Sequence, residues 1–448
     1  MDKTPGETLT DNKGTYGRGM WAASLRFHNN KYYVSFVAND THKSYLYTAD
    51  NIQGPWKKSN IQGFYHDMSI LFDDDGKTYI VHGNTQIHLT EMENDLSKPK
   101  IGGIDKIIIQ DDKDKINLGY EGSHFYKING KYYIFMIHIP KGQMRTEGCY
   151  VSDKIDGPYK GCDVLSSDLG GWNSGVAQGG IVQSNDGKWY GILFQDHGAL
   201  GRIPVLVPVH FENDFPVFGE NGKAPEKVTV LDNKPDYQYS PLYSNDFTNP
   251  CWQWNHIPNK NLITISKSEL TITTDKIVKN VTQANNSLTQ RTFSEECEGF
   301  VTIDGSNLNE GDYAGLCALE GEYGFIAITK IGNRYQLVTA EHKIPYTPWT
   351  MGVYDDSNPT FLSQLDINDS KVQLKLKFSL HHGNENVELL YFNKDSGKFE
   401  QLGNSIKLRY TLDQFMGVRF ALFNYSTKTP GGKAIFSNFT YESTLPQL

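Results

Sequence analysis

Four hairpins of one design recur in the first half of this chain, and no other feature constrains its fold as tightly. Residues 26–34, 71–80, 125–134 and 181–190 each run from a strand through an Asn-Asn, Asp-Gly or Asn-Gly turn into a Lys-x-aromatic strand. Asparagine, aspartate and glycine tolerate the left-handed backbone that a tight hairpin demands, and β-branched and aromatic residues suit the strands beside it. The turn lysines, Lys31, Lys77, Lys131 and Lys188, are spaced 46, 54 and 57 residues apart. Residues 50–56 and 153–159 add a second repeat ending in Gly-Pro-aromatic, placed where the outer strands of a repeated sheet would join. A period near 50 with room for four short strands is the spacing of propeller blades. A sandwich whose hairpins share turn chemistry is the weaker alternative. The repeat therefore predicts an all-β propeller with four blades visible.

The repeat stops at a breaker-rich stretch, residues 219–236, containing Gly219, Gly222, Pro225 and Pro235. Beyond it, residues 262–266, 299–303, 324–329 and 372–378 alternate apolar with polar, which is the pattern of a sandwich strand covered on one face. Two domains follow, 1–238 as the propeller and 239–448 as a β-sandwich of jelly-roll type. The net charge of −9 argues against a nucleic-acid backbone as partner. The longest strongly apolar run, residues 203–209, is too short to cross a membrane as a helix. Five cysteines without a C-x-x-C pair suggest reduced thiols rather than a metal knuckle. Residues 1–19 carry no apolar signal-peptide core, so a cytoplasmic protein is expected.

A propeller site draws one residue from each of several inner strands, so the acids in that register matter most. Asp67 leads into the second repeat and Glu121 into the third, while residues 21–24 and 178–180, with Trp21 and Gln178, hold the same place in the first and fourth. By register alone either acid could be a strand-edge carboxylate. Asp73, Asp74 and Asp75 are adjacent rather than interleaved with other residues, and read as a solvated hairpin turn instead of a calcium loop.

Residues 19–26, 66–76, 120–126 and 194–204 resemble glycoside hydrolase family 43. Residues 252–256, 288–293, 312–316 and 323–326 are similar to the concanavalin-A-like C-terminal domain of its β-xylosidases. The resemblance implies a five-bladed propeller that removes xylose or arabinose from xylo-oligosaccharides or arabinoxylan fragments with inversion, using a general base, a general acid and a tuning aspartate. It makes Glu121 the acid and Asp67 the tuner, and Trp21, His197 and Arg202 pocket residues. β-1,4-Xylosidase is favoured over α-L-arabinofuranosidase. No cofactor is implied beyond a structural calcium, and His197 would hold either a water or that central ion. The chemistry fits these roles, because a poorly basic leaving oxygen needs a donor that stays protonated near neutral pH, and a second carboxylate close by disfavours its ionisation.

One part of the pattern is missing. The family's base sits in the first blade on an Asp usually followed by Pro, and no Asp-Pro occurs here. Only about twenty residues precede Trp21, fewer than a blade of four strands requires, and they contain Asp2 and Asp11 as their aspartates. The expectation is a chain lacking the base blade, hence impaired. It would be part of a longer enzyme, a partner to a separate first blade, or a non-catalytic carbohydrate binder.

Overall fold

The computed structural model describes residues 4, 9, 14–229, 243–344, 357–410 and 415–443. Four antiparallel sheets of four strands occupy the first half. The first is β1 (Met20–His28), β2 (Lys31–Ala38), β3 (Lys43–Ala49) and β4 (Lys57–Ile61). The second is β5 (Ser69–Phe72), β6 (Thr78–Asn84), β7 (Gln86–Met92) and β8 (Asp105–Gln110). The third comprises β9 (Ile116–Ile128), β10 (Lys131–Pro140), β11 (Thr146–Ser152) and β12 (Lys160–Leu165). The fourth comprises β13 (Ala177–Gln183), β14 (Trp189–Asp196), β15 (Arg202–Glu212) and β16 (Phe215–Phe218). Each sheet is a simple meander, as blades are. The turn chemistry behaves as the sequence suggests: Asn29, Asn30, Asn129 and Gly130 all have positive φ.

Apolar side chains of neighbouring blades close on each other. Leu71, Tyr79, Val81, Ile87 and Leu89 of the second blade share a core with Phe125, Tyr132, Ile134 and Met136 of the third. Each such side chain contributes about 1.5–3 kcal/mol on burial. Tyr133, Phe135 and Cys149 of the third blade pack with Ile181, Leu193, Val207 and Phe218 of the fourth. The inner strands pack in sequence, β1 on β5, β5 on β9 and β9 on β13, and among the described residues no comparable packing joins β13 to β1. Arg26 stitches three of them, donating from Nε to the Ile70 carbonyl, and from Nη2 to Ser69 Oγ and the Phe125 carbonyl.

The same backbone kink marks every inner strand. Counting four residues on from each turn lysine along the paired strand brings Ser24, Ser69, His124 and Gly180 into equivalent positions. Two residues before each lies a residue in the left-handed region: Ala22 (φ 41°), Asp67 (50°), Gly122 (65°) and Gln178 (64°). The pairing register slips there in blades one, three and four, as a bulge requires. Asp67 is thus equivalent to Gly122, whereas Glu121 stands one residue earlier, with Trp21, His66 and Ala177. The common register expected for Trp21, Asp67, Glu121 and Gln178 is corrected by one residue, because the bulge inserts a position that hydrophobic periodicity does not reveal.

Asp73 also departs from expectation. It is buried rather than solvated, accepting from Lys127 Nζ at 2.5 Å and from the Tyr132 hydroxyl at 2.7 Å. Asp74 and Asp75 are exposed, as a turn would have them.

The second half forms two antiparallel sheets. One of seven strands runs Gln253–Trp254, Leu288–Arg291, Arg419–Ser426, Asp312–Leu319, Tyr323–Ile331, Arg334–His342 and Thr360–Ile367. The other has eight strands, with Lys433–Ser443, Glu296–Asn307 and Lys371–Ser379 adjacent at its centre. Phe325, Ala327, Val338, Ala421 and Phe423 build a buried core on the first of them. By packing the chain divides into two units, Arg18–Asp196 with Arg202–Lys234, and Pro235–Leu448 with His197–Gly201 and Lys3–Gly17.

Candidate active site

The kink at Asp67 and the one-residue offset of Glu121 bring two carboxylates together. Gly122, left-handed and without a side chain, donates its N–H to Asp67 Oδ2 at 2.9 Å. His66 Nε2 lies 3.2 Å from Glu121 Oε2 and 3.6 Å from Asp67 Oδ2. The His66 carbonyl in turn accepts the Gly83 N–H at 2.9 Å, which fixes this lead-in against the end of β6.

Asn84, the last residue of β6, supplies a fourth group. Its Nδ2 donates to Glu121 Oε2 at 2.6 Å, while its Oδ1 accepts from the Thr85 hydroxyl at 2.8 Å, and that second bond sets which way the amide faces. Thr85 is itself clamped to the strand carrying Glu121, because its N–H donates to the Tyr120 carbonyl at 2.8 Å. Gly119 makes the approach possible, since a Cβ there would sit 2.2 Å from Thr85 Oγ1. Asn84 was not found from the sequence. A turn residue between two apolar strands carries no periodic signal for the carboxylate it will meet.

Asp67 is 5% exposed. Burial pushes its pKa up to about 6, with the charge of Glu121 adding to that. His66, the Gly122 N–H and the positive field of Arg202 pull the other way. For His66, burial opposes the charged form, but the bond to Glu121 and the charges of Asp67 and Glu121 outweigh it and raise the pKa. Asp67 is the more enclosed of the two carboxylate side chains, at 4% against 19%.

Trp21 stands beside His66, with ring centroids 6.5 Å apart. Arg202 extends over the Phe194 ring at 4.2 Å and donates from Nε to Asp196 Oδ1 at 3.0 Å. Asp196 is shared: Arg145, almost wholly buried, donates to its other oxygen at 2.6 Å and also covers Phe194, at 5.1 Å. Arg145 and Asp196 hold Arg202 and were likewise not singled out from the sequence. His197 opens the short 3-10 turn Gly198–Leu200, donating its N–H to the Gly201 carbonyl, and packs with the second unit. Asp2 and Asp11 lie outside the described residues.

His66, Asp67 and Glu121 bring donor atoms within 4.8 Å of one another. An imidazole nitrogen among them does not suit calcium, which takes an all-oxygen shell, so this cluster does not fit the expected structural ion.

Residues 3–216 match the model for glycosyl hydrolases family 43, and residues 242–442 that for the beta xylosidase C-terminal Concanavalin A-like domain. A protein of Xylanibacter ruminicola, provisionally named a beta-xylosidase, is 31% identical over 323 residues, covering 67% of this chain and 58% of its own. A non-reducing end alpha-L-arabinofuranosidase of Bacteroides ovatus is 28% identical over 236 residues, 49% of this chain and 44% of its own. Among solved structures, a bifunctional GH43-CE protein of Bacteroides eggerthii superposes with a TM-score of 0.85 at 36% identity, over 99% of this chain and 57% of that one. The chain thus spans under two thirds of these proteins. Its propeller and its sandwich both have their counterpart in one group, and the chain belongs to glycosyl hydrolases family 43, with the C-terminal Concanavalin A-like domain of beta-xylosidases after the propeller.

Proposed function

We propose that this chain is the propeller and sandwich of an inverting exo-glycosidase that releases non-reducing-end xylose from xylan-derived oligosaccharides. Glu121 is the proton donor and Asp67 the carboxylate that tunes it. The observation that carries the reading is the Asp67–Glu121 pair, held by the Gly122 N–H on one side and the Asn84 amide on the other. Glu121 gives its proton to the glycosidic oxygen as the bond to the anomeric carbon breaks, and water attacks from the opposite face. Asp67 is unsuited to activating that water. An inverting acid and base stand about 6.5–9.5 Å apart to admit it, whereas these donor atoms are within 4.8 Å. Nor is Asp67 placed as a retaining nucleophile, being buried and committed to a backbone N–H. Arg202 and Trp21 are assigned to the sugar pocket.

The base belongs, in this reading, to a further blade between β13 and β1. Exposed apolar side chains on both flanking blades support it. Leu25 and Phe27 of β1 are 51% and 59% exposed, and Val182 of β13 and Ile192 of β14 are 47% and 54% exposed. The Bacteroides ovatus relative favours α-L-arabinofuranosidase as the second reading.

The test offers the chain an aryl β-D-xyloside and an aryl α-L-arabinofuranoside, with and without azide, and repeats it after fusing an N-terminal blade that carries an aspartate base. The chain alone should turn over slowly, azide should accelerate phenol release, and the added blade should raise the rate by about 10²–10⁴-fold. Glu121→Gln should abolish the gain, and the first sugar released should have inverted configuration by NMR. Turnover at about 1 s⁻¹ or above without the blade would overturn the missing base. A retained anomer would overturn the mechanism, and a preference for the arabinoside would establish the second reading.

A further inference from the structure

We propose that His66 Nε2, Asp67 Oδ2 and Glu121 Oε2 form a site for one divalent cation of the zinc class. The spacing is that of a metal's ligand shell. Bonds of about 2.0–2.1 Å in tetrahedral geometry set neighbouring donor atoms about 3.3 Å apart, and His66 Nε2 stands 3.2 Å from Glu121 Oε2 and 3.6 Å from Asp67 Oδ2. The third separation stays within 4.8 Å. Two carboxylates and one imidazole give a doubly negative set with a nitrogen donor, which suits zinc, cobalt or nickel and disfavours calcium and magnesium.

The surroundings are those of a supported site. The Gly122 N–H and the Asn84 amide fix Asp67 and Glu121 through the same two oxygens named as donors, so each oxygen offers the cation its remaining lone pair. The cluster is also reachable, since the His66 side chain is 28% exposed and that of Glu121 19%, leaving a fourth position for water. The consequence rests on the acid role proposed for Glu121: a cation on Oε2 fixes it as carboxylate and withholds the proton from the leaving oxygen. Zinc would then act as a reversible inhibitor at the catalytic acid.

Calorimetric titration of the chelator-treated full chain with zinc chloride tests the site, with cobalt(II) absorption as a second readout. One equivalent should bind, cobalt should show the intense visible bands of a four-coordinate ion, and magnesium or calcium should give neither signal. His66→Gln should weaken zinc by about tenfold or more. His381→Gln, which removes a surface imidazole 2.9 and 2.7 Å from Glu295 and Glu296, should leave it unchanged. No uptake at about 100 µM zinc, or uptake unaltered by His66→Gln, overturns the proposal. So does uptake lost in His381→Gln. If His66→Gln fails to fold, the wild-type cobalt spectrum decides, and bound cobalt with only weak octahedral bands overturns the site. Neither readout needs turnover, so a chain that binds zinc and never cleaves a glycoside keeps this site and defeats only the glycosidase reading.

Discussion

Strands β1 and β5 occupy the same place in successive repeats, yet they live in different surroundings. In β5, Ser69 and Ile70 are fully buried and Leu71 nearly so, with blades on both sides. In β1 only Ser24 is buried, and Met20, Leu25 and Phe27 are each more than half exposed. The left-handed residue two positions before the serine is shared, and the neighbours differ: β5 packs on both β1 and β9, β1 on β5. An inner strand of a propeller is finished by the blades beside it, and Asp67 and Glu121 sit where both flanks are present.

The contrast can be broken most forcefully in the core. Ile80, fully buried with Met68 and Ile70, should lose about 2–5 kcal/mol of stability on Ile80→Ala, read from denaturant unfolding followed through propeller tryptophans. A loss no larger than that of a surface substitution would mean the second blade is no better packed than the first.

A slightly smaller effect concerns charge. Glu147 on β11 is fully buried, and although the Gln178 N–H donates to its Oε2 at 2.7 Å, Oε1 has no partner among the described residues. Burial pushes its pKa up to about 8, with the Gln178 bond opposing. Between the unfolded value near 4.5 and about 8, the folded chain keeps a proton that the unfolded chain has released. Stability therefore falls as pH rises through this window. Glu147→Gln should remove that slope, gaining on the order of 2–4 kcal/mol over wild type at pH 8 relative to pH 5. Parallel slopes for the two proteins would show that Glu147 ionises without cost.

Weaker still is the kink itself. Ala22→Gly should stabilise by about 0.5–1 kcal/mol, because a β-carbon is strained at positive φ. Destabilisation would argue that the flexibility gained by the unfolded chain outweighs the relief. At the bottom of the scale, Phe27→Ser on the uncovered face should change stability by about 0.5 kcal/mol or less while reducing self-association in sedimentation. A loss matching that of Ile80→Ala would remove the distinction between the two strands.

Much of this was legible in the sequence, and the reasons are local. Asn29-Asn30 and Asn129-Gly130 announce hairpins because few other residues adopt their backbone, and the repeat of Lys31, Lys77, Lys131 and Lys188 counts the blades. Residues 324–329 and 372–378 announce sandwich strands by alternation, and both lie within strands. What stayed hidden depends on three-dimensional closure. The offset of Glu121 from Asp67 follows from a bulge that leaves no periodic trace. Asn84 reaches Glu121 because Gly119 admits Thr85, and Arg145 meets Arg202 through a carboxylate 51 residues along the chain. Asp73 was misread for the same reason, its partners Lys127 and Tyr132 coming from the next blade.

The four left-handed residues have a consequence for how such a molecule can change over generations. Ala22, Asp67, Gly122 and Gln178 have nothing chemical in common, yet each adopts the same kink. Four different residues are accommodated at one bend, although a β-carbon is strained there and one at Gly122 would sit 2.9 Å from Gln178 Cγ. Each repeat places a residue at the same point beside its inner strand, a carboxylate in one blade and a methyl, an amide or a bare hydrogen in the others. Where the β-carbon has room, the group presented at that point can change while the blade that presents it stays as it was.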